Sequence, residues 1–408
     1  MVAGDSTSSS YTVGPMLSNL PNELLIKILL TLPIESLSIC RAVSKIWYKI
    51  IKTPQFIQTF NINTIQNHHS PLVLTTDEFL LPKPQFHLIN NEETSLIFYQ
   101  NSLNPPQPIS QIFFSNGWVL CVMKPREKYG KEIQPYLVYN PITGEQMVIP
   151  KSPVDSYPNR CGRQGVIGFG WDSVHNRFKV IRISDICGFK RYYGTFLEIF
   201  DFEKGEWRVI QWVGTYRDPC RASSIFRFRF RTNTFVNGKL HWISYPYREP
   251  MSIVCFDLDS EEFGIVPMPE ALELDPIEDG IGNGNDGRVF EHYLLVLGEC
   301  LTLVHNVSDK HVEVWIMKVY GSQLSWELRY IINNIVMDNA SPVKGPYKPI
   351  KMMINGEILL LCAEENLGYY HPVTKVFRQV EVGHVLYRPS ILKPKLHVGS
   401  LIYIAKKL

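Results

Sequence analysis

Cysteine and histidine are the residues of this sequence best able to hold a metal or attack a substrate, and their spacing argues against both roles. The eight cysteines stand at 40, 121, 161, 187, 220, 255, 300 and 362. The nearest pair, Cys161 and Cys187, lies 26 positions apart, which excludes a CxxC zinc or redox pattern. Cys121, Cys255 and Cys362 sit inside apolar runs, where a thiol behaves as a small hydrophobe. The eleven histidines include no HExxH motif. His68 and His69 are adjacent, a poor geometry for a shared metal, and His241 and His371 fall in turn-like repeats where hydrogen bonding is the expected role. No GxSxG occurs. Gly282, Gly284 and Gly287 match GxGxxG, but they follow an acidic loop and precede a strand-like run, whereas a dinucleotide fingerprint follows a strand and opens a helix. The same glycine loop lacks the spacing of an EF-hand. We expect no catalytic residue, no metal and no cofactor.

The remaining chemistry is that of binding. Residues 226–231 alternate Phe and Arg strictly. As a strand they bury three phenylalanines and display Arg227, Arg229 and Arg231 on the other face. That face suits an acidic partner surface, and it equally suits an ordinary half-exposed strand. The chain that must position these residues is long enough for two or three domains, with 408 residues of which 45% are hydrophobic and 20% charged. Lys+Arg 41 against Asp+Glu 39 lacks the basic excess of a dedicated nucleic-acid binder. The longest apolar runs, such as 294–297 and 358–362, are too short to span a bilayer. Residues 1–17 are rich in Ser, Thr and Gly, read as a disordered tail, and have no apolar stretch of a secretory signal. Reduced thiols in the cytoplasm, the nucleus or both are expected.

From Leu20 the pattern is helical. Leu20, Leu24, Leu25, Ile28, Leu29 and Leu32 recur at a helical period, Pro21 suits a helix start, and Pro33 stops the run. A second short helix fits 35–41. A third carries Val43, Ile46, Trp47, Ile50 and Ile51, with Ser44 able to cap it. Ile26 and Leu30 lie off the main stripe of the first helix, so its apolar side chains occupy more than one face. A unit of about 40 residues is near the lower limit for independent folding and cannot cover that surface alone. Either the rest of the chain or a partner must cover it, and the excess favours a partner.

Leu20-Pro21-Asn22-Glu23-Leu24-Leu25, Ile28-Leu29, Leu32-Pro33, Ser36-Leu37, Arg41 to Trp47 and Pro54-Gln55-Phe56 together resemble an F-box. The resemblance implies docking on a Skp-type adaptor, and through it a cullin, in an SCF-type ubiquitin ligase. It points to Leu20, Pro21, Leu24, Ile28, Leu29, Leu32, Pro33 and Trp47 as the docking set. Two positions depart from the family pattern: Lys27 stands where many members carry an acid, and Ile46 where a polar residue is usual.

After about residue 61 the sequence reads as strands of Val, Ile, Phe, Tyr and Trp broken by Gly, Pro, Asn and Asp. Asn-Gly recurs at 116–117, 237–238 and 355–356, and supplies the positive φ of tight hairpins. Strands ending in an aromatic recur at Tyr139, Phe200, Phe256 and Tyr370. The unit is some 55–60 residues, and the two elements mark repeats or pairs of repeats. Antiparallel units that cannot bury their faces singly must stack or close; a propeller of five to seven blades closes them radially, and an open sandwich is the alternative. Gly117-Trp118, Tyr139-Asn140-Pro141, residues 168–172 and 178–181, 235–242 and Phe256-Asp257-Leu258 resemble the F-box-associated domain of plant F-box proteins, which is similar to Kelch-type propellers.

The expected fold is therefore mostly β: a small N-terminal all-α F-box module over 18–60, a linker at 61–71, a Kelch-like β-propeller over 72–385, and a segment 386–408 able to return a strand to the first blade. The resemblance implies a non-catalytic substrate-recognition subunit, whose target meets exposed loops at one rim. Residues 124–131, 155–164, 186–194, 214–224 and 274–287 are candidates by length. An F-box scaffold acting outside a ligase and a propeller enzyme are the rivals. The target protein is unnamed by the sequence, and no nucleic-acid or membrane partner is expected.

Overall fold

The computed structural model describes residues 20–32, 34–53, 55–57, 59–60, 72–76, 86–89, 109–123, 136–140, 145–156, 166–175, 177–188, 191–213, 234–244, 251–272, 292–308, 311–337, 339, 341–353, 355–363, 366–379 and 392–396. They fall into two compact units, Met1–Asn63 and Thr64–Leu408. The first holds α1 (Asn22–Leu30), α2 (Ile34–Val43) and α3 (Lys45–Ile51). Pro21 stands at the N-cap of α1 with φ −54° and ψ 142°. Ser44 is extended, and its hydroxyl accepts from the Trp47 amide at 3.4 Å, which separates α2 from α3 by a capped break. Leu25 and Leu29, one turn apart, are buried, as are Leu37, Ile50 and Ile51. Phe56 and Phe60 are buried too, with their rings stacked at 6.3 Å.

The second unit is a β-propeller. It opens with β1 (Leu72–Thr76) and β2 (Phe86–Ile89). Five blades follow. The first is β3 (Ile109–Ser115), β4 (Trp118–Met123), β5 (Tyr136–Tyr139) and β6 (Gln146–Ile149). The second is β7 (Val166–Asp172), β8 (Arg177–Gly188), β9 (Arg191–Asp201) and β10 (Glu206–Val213). The third is β11 (Thr234–Val236), β12 (Lys239–Ser244), β13 (Ser252–Asp257) and β14 (Phe263–Val266). The fourth is β15 (His292–Leu297), β16 (Cys300–Ser308), β17 (His311–Met317) and β18 (Trp326–Asn333). A short β19 (Val336–Met337) then lies parallel along the outer edge of the fifth blade, which is β20 (Tyr347–Met352), β21 (Ile358–Cys362), β22 (Asn366–Tyr370) and β23 (Val376–Gln379). Finally β24 (Leu392–Leu396) pairs antiparallel with β1, which already pairs with β2, so the two ends of the unit share one sheet.

Within each blade the strands are antiparallel and follow in chain order. Their connections therefore alternate between two rims. At one rim lie 116–117, 173–176, 202–205, 237–238, 258–262, 298–299, 353–357 and 371–375, and its longest connection is 318–325. The connections 124–135, 150–165, 214–233, 267–291, 334–346 and 380–391 join strand ends at the other rim. Asn116 and Gly117 (φ 41° and 78°) and Asn237 and Gly238 (φ 52° and 71°) are both-positive hairpin turns, the geometry Asn-Gly favours. Asn355-Gly356 differs. Met352 pairs with Ile358, so the loop has five residues, and the Asn355 carboxamide oxygen accepts from the Glu357 amide at 3.0 Å instead. The Asn-Gly sites at 116–117, 237–238 and 355–356 open alternate blades, and Tyr139, Phe200, Phe256 and Tyr370 all lie in third strands.

The core lies between neighbouring blades. Ile181, Leu197 and Ile199 of the second blade meet Leu240, Trp242 and Phe256 of the third. Ile243 and Ile253 meet Leu294, Leu301 and Leu303 of the fourth. Val304, Val312 and Val314 meet Tyr347, Leu360 and Phe377 of the fifth. Residues 186–194, expected as a loop, are instead largely ladder: Ile186 pairs with Gly194, Cys187 with Tyr192 and Gly188 with Arg191. A bulge between Ile186 and Cys187 lets this hairpin run on with added twist.

Candidate interaction surfaces

The helical unit keeps apolar side chains at its surface after filling its interior. On α1, Leu24 and Ile28 are 45% and 46% exposed, while Leu29 is 2% exposed. The phase of the helix explains the split, because Leu25 and Leu29 share the inward face and the i, i+4 pair Leu24 and Ile28 lies beside it. On α2, Ile39 and Val43 form a second exposed i, i+4 pair; on α3, Ile46 and Tyr48 are exposed. Of the expected docking residues, Pro21, Leu24 and Ile28 are exposed, Leu20, Leu32 and Trp47 are half-buried, and Leu29 belongs to the interior. Pro33 lies outside the described residues. Ile39, Val43, Ile46 and Tyr48 were missing from the expected set. The i, i+4 spacing of Ile39 and Val43 was the available signal.

In the propeller, the polar residues of the repeat motifs go into the seams. Asp172 ends β7 and Lys179 lies on the neighbouring β8, both buried. The Lys179 ammonium is 2.9 Å from Asp172 Oδ2 and 2.9 Å from Glu261 Oε1, and it donates to the Leu258 carbonyl, so it ties the second blade to the third. Burial pushes the Asp172 carboxyl up, but hydrogen bonds from Lys179 and the His175 amide outweigh it and hold the group below the usual carboxylate range. Glu261 is held low the same way by Lys179 and Arg208 against its burial. At the seam between the first and second blades, Arg182 pairs with Glu198 at 2.7 Å, Ser152 donates to the same carboxylate, and the guanidinium lies 5.1 Å over the Trp207 ring. Gly170 lets the third blade approach: a Cβ there would stand 2.5 Å from Leu258 Cδ1 and 3.1 Å from Phe235.

His241 is a strand residue of β12, not a turn residue, and is fully buried. Its Nδ1 donates to the Thr234 carbonyl at 3.1 Å. That leaves Nε2 to accept from the Tyr320 hydroxyl of the fourth blade at 2.6 Å. Burial pulls its pKa down to about 4, and the neighbouring Lys239 charge adds to this. His371 keeps to its turn, where Nδ1 accepts from the Thr374 amide at 3.3 Å. Asp172, His175 and Asp259 bring possible metal-ligand atoms together, but Asp172 already faces Lys179 at 2.9 Å and Arg177 at 3.5 Å, and this cluster is an ion-pair network.

A helical unit with surplus apolar surface and a propeller locked by cross-blade pairs are what two family descriptions match. "F-box domain" matches residues 17–59, and "F-box associated beta propeller domain" matches residues 72–404. The chain belongs to the F-box-associated propeller family. F-box protein CPR1 of Arabidopsis thaliana is 27% identical over 76% of this chain and 72% of its own. Two further Arabidopsis relatives, F-box protein At5g49610 and F-box protein At3g07870, are each 24% identical, the first over 88% of this chain and 90% of its own, the second over 95% and 93%. The chain is thus a plant-type F-box protein with an F-box-associated propeller. The matched description is of that propeller and not of Kelch. Among solved structures, TolB from Acinetobacter baumannii aligns over 84% of this chain and 72% of its own, at 10% identity and a TM-score of 0.40.

In this F-box-associated propeller the motif residues 168–172 and 178–181 serve the seams, in keeping with an architectural role. Arg227, Arg229 and Arg231 lie outside the described residues, as does the glycine loop 282–287. Among the described residues, no helix is long and apolar enough to cross a membrane.

Proposed function

We propose that this chain is the substrate-recognition subunit of an SCF-type E3 ubiquitin ligase. The F-box docks a Skp-type adaptor and through it a cullin, and the propeller captures a target protein for ubiquitination. The observation that carries the reading is the set of exposed apolar residues on all three helices of the matched F-box: Leu24, Ile28, Ile39, Val43 and Ile46. Apolar surface of that kind favours burial by a partner. The chain itself performs no chemistry in this account. It raises the effective concentration of a target lysine near a charged conjugating enzyme, turning a bimolecular encounter into an intramolecular one. The work is done in the cytoplasm, the nucleus or both.

The alternation of strand direction supports a target site at the long-connection rim. The described strand ends that flank 124–131, 155–164, 214–224 and 274–287, and the Gly188–Arg191 pair that ends the β8–β9 ladder, lie on that rim and favour it as the target site. The end of β10 and the start of β11, which flank the segment holding Arg227, Arg229 and Arg231 in the sequence, lie on the same rim. Loops gathered on a rigid scaffold are where binding residues concentrate.

The test is reconstitution with purified components. The full chain should co-elute with a Skp-type adaptor and a cullin, and a chain lacking residues 18–60 should not. Failure of the intact, folded chain to co-elute with the adaptor would overturn the reading.

A further inference from the structure

The apolar face of the helical unit is set in positive charge. Residues 20–60 contain five cations, Lys27, Arg41, Lys45, Lys49 and Lys52, and two acids, Glu23 and Glu35, whereas the whole chain is nearly balanced at 41 against 39. On α1, Lys27 is exposed, next in sequence to Ile28 and three residues from Leu24. Positions three apart on a helix are surface neighbours, so this ammonium borders the exposed apolar pair. On α3, Lys45 and Lys49 are exposed one turn apart, and Lys52 continues their row just past the helix end, opposite the buried Ile50 and Ile51. Tyr48 links the α3 row to Arg41 of α2. Its ring has the Arg41 guanidinium of α2 at 5.9 Å and the Lys52 ammonium at 5.5 Å, and Lys52 donates to its hydroxyl at 3.3 Å.

We infer that the surface taken by this unit is an apolar groove bordered by carboxylates, and that the lysines of α1 and α3 steer its capture. The inference rests on the adaptor reading above and adds the chemistry of the partner. Burying Leu24 and Ile28 brings Lys27 against the partner, and burying Ile46 brings the α3 lysines close. A neutral or basic border would leave those ammonium groups repelled or stripped of water, while an acidic border complements them. Steering of this kind acts on the association rate and weakens with salt, whereas apolar contacts set the dissociation rate.

The experiment measures association and dissociation of the full chain with a purified Skp-type adaptor between low and high salt. The wild-type association rate should fall by about tenfold or more across that range, with dissociation little changed. Lys45→Glu, Lys49→Glu and Lys52→Glu together should slow association about tenfold at low salt and flatten its salt dependence. Lys27→Glu should act the same way to a smaller degree. Leu24→Ala with Ile28→Ala should speed dissociation and leave the salt dependence intact. Tight binding whose association rate ignores salt would overturn the inference while leaving the adaptor reading standing. No binding at any salt would overturn both. The wild-type salt series decides the matter even if a charge-reversed variant does not fold.

Discussion

Lys179 directs all three of its N–H donors at acceptors, two of them carboxylates and one the Leu258 carbonyl. A lysine so buried is tolerable because nothing on its head group is left unmet. Removing it is a different matter, since Asp172 and Glu261 would lose the cation between them and keep only their outer partners, Arg177 and His175 for the first and Arg208 for the second. Lys179→Met should cost about 3–5 kcal/mol, read as a fall in the urea midpoint at pH 7. Adding Glu261→Gln to that variant should recover part of the loss, because it removes the repulsion between the two carboxylates. His241 gives the pH dependence. Folded, it stays neutral down to about pH 4, while in the unfolded chain an imidazole takes up its proton near the ordinary 6.5. The unfolded state binds that proton first, so stability falls as pH drops from 6.5 towards 4, by about 3 kcal/mol for this group. Asp172 and Glu261, held low when folded, add to the fall at and below the usual carboxylate range. A urea series at pH 7, 6, 5 and 4.5 should show this slope, and His241→Gln should reduce it between 6.5 and 5.

At the scale of strands and helices, the propeller repeats a fastening. The Trp207 indole of β10 donates to the Pro150 carbonyl just after β6 at 2.7 Å, and the Trp326 indole of β18 donates to the Pro267 carbonyl just after β14 at 2.8 Å. In both cases the outer strand of one blade is pinned to the chain leaving the outer strand of the blade before. Trp326→Phe keeps most of the ring and removes the donor, so it should cost about 1 kcal/mol in thermal or urea unfolding. Its effect should add to that of Trp207→Phe, since the two pins lie in different seams. The sequence announces strands and turns better than it announces fastenings. Asn116-Gly117 and Asn237-Gly238 are legible because two successive positive φ angles admit few other pairs. Asn355-Gly356 shows the same letters with a longer loop, because register is decided by the flanking strands. The tie from Lys179 to Glu261 joins residues 82 positions apart and leaves no periodic trace. The same limit applied to the helical unit. An F-box is legible from its motif order, but a helix apolar on several faces does not declare its phase, so Leu29 reads like Leu24 until the neighbouring helices are in place.

For the whole propeller, closure depends on five residues at the far end of the chain. Leu392–Leu396 pair in register with Thr76–Leu72, and β24 lies beside β20 of the fifth blade as well as within the sheet of β1 and β2. Each blade buries its faces only against its neighbours, so a gap anywhere exposes two faces. A chain ending at residue 391 would leave β1 with an unpaired edge and uncover the side of β20 that faces β24. Losing the ladder bonds of β24 alone removes on the order of 3 kcal/mol, and the uncovered apolar surface adds to it. The truncated chain should therefore unfold at a clearly lower urea midpoint and bind a dye that reports exposed apolar surface. A synthetic peptide of residues 386–408, added in excess, should restore the midpoint by mass action in proportion to its occupancy. A peptide with the order of its residues scrambled should not, because register along β1 selects the strand. If the truncated chain melted like the intact one, ring closure by β24 would contribute nothing to stability, and the blades would have to hold by their pairwise seams alone.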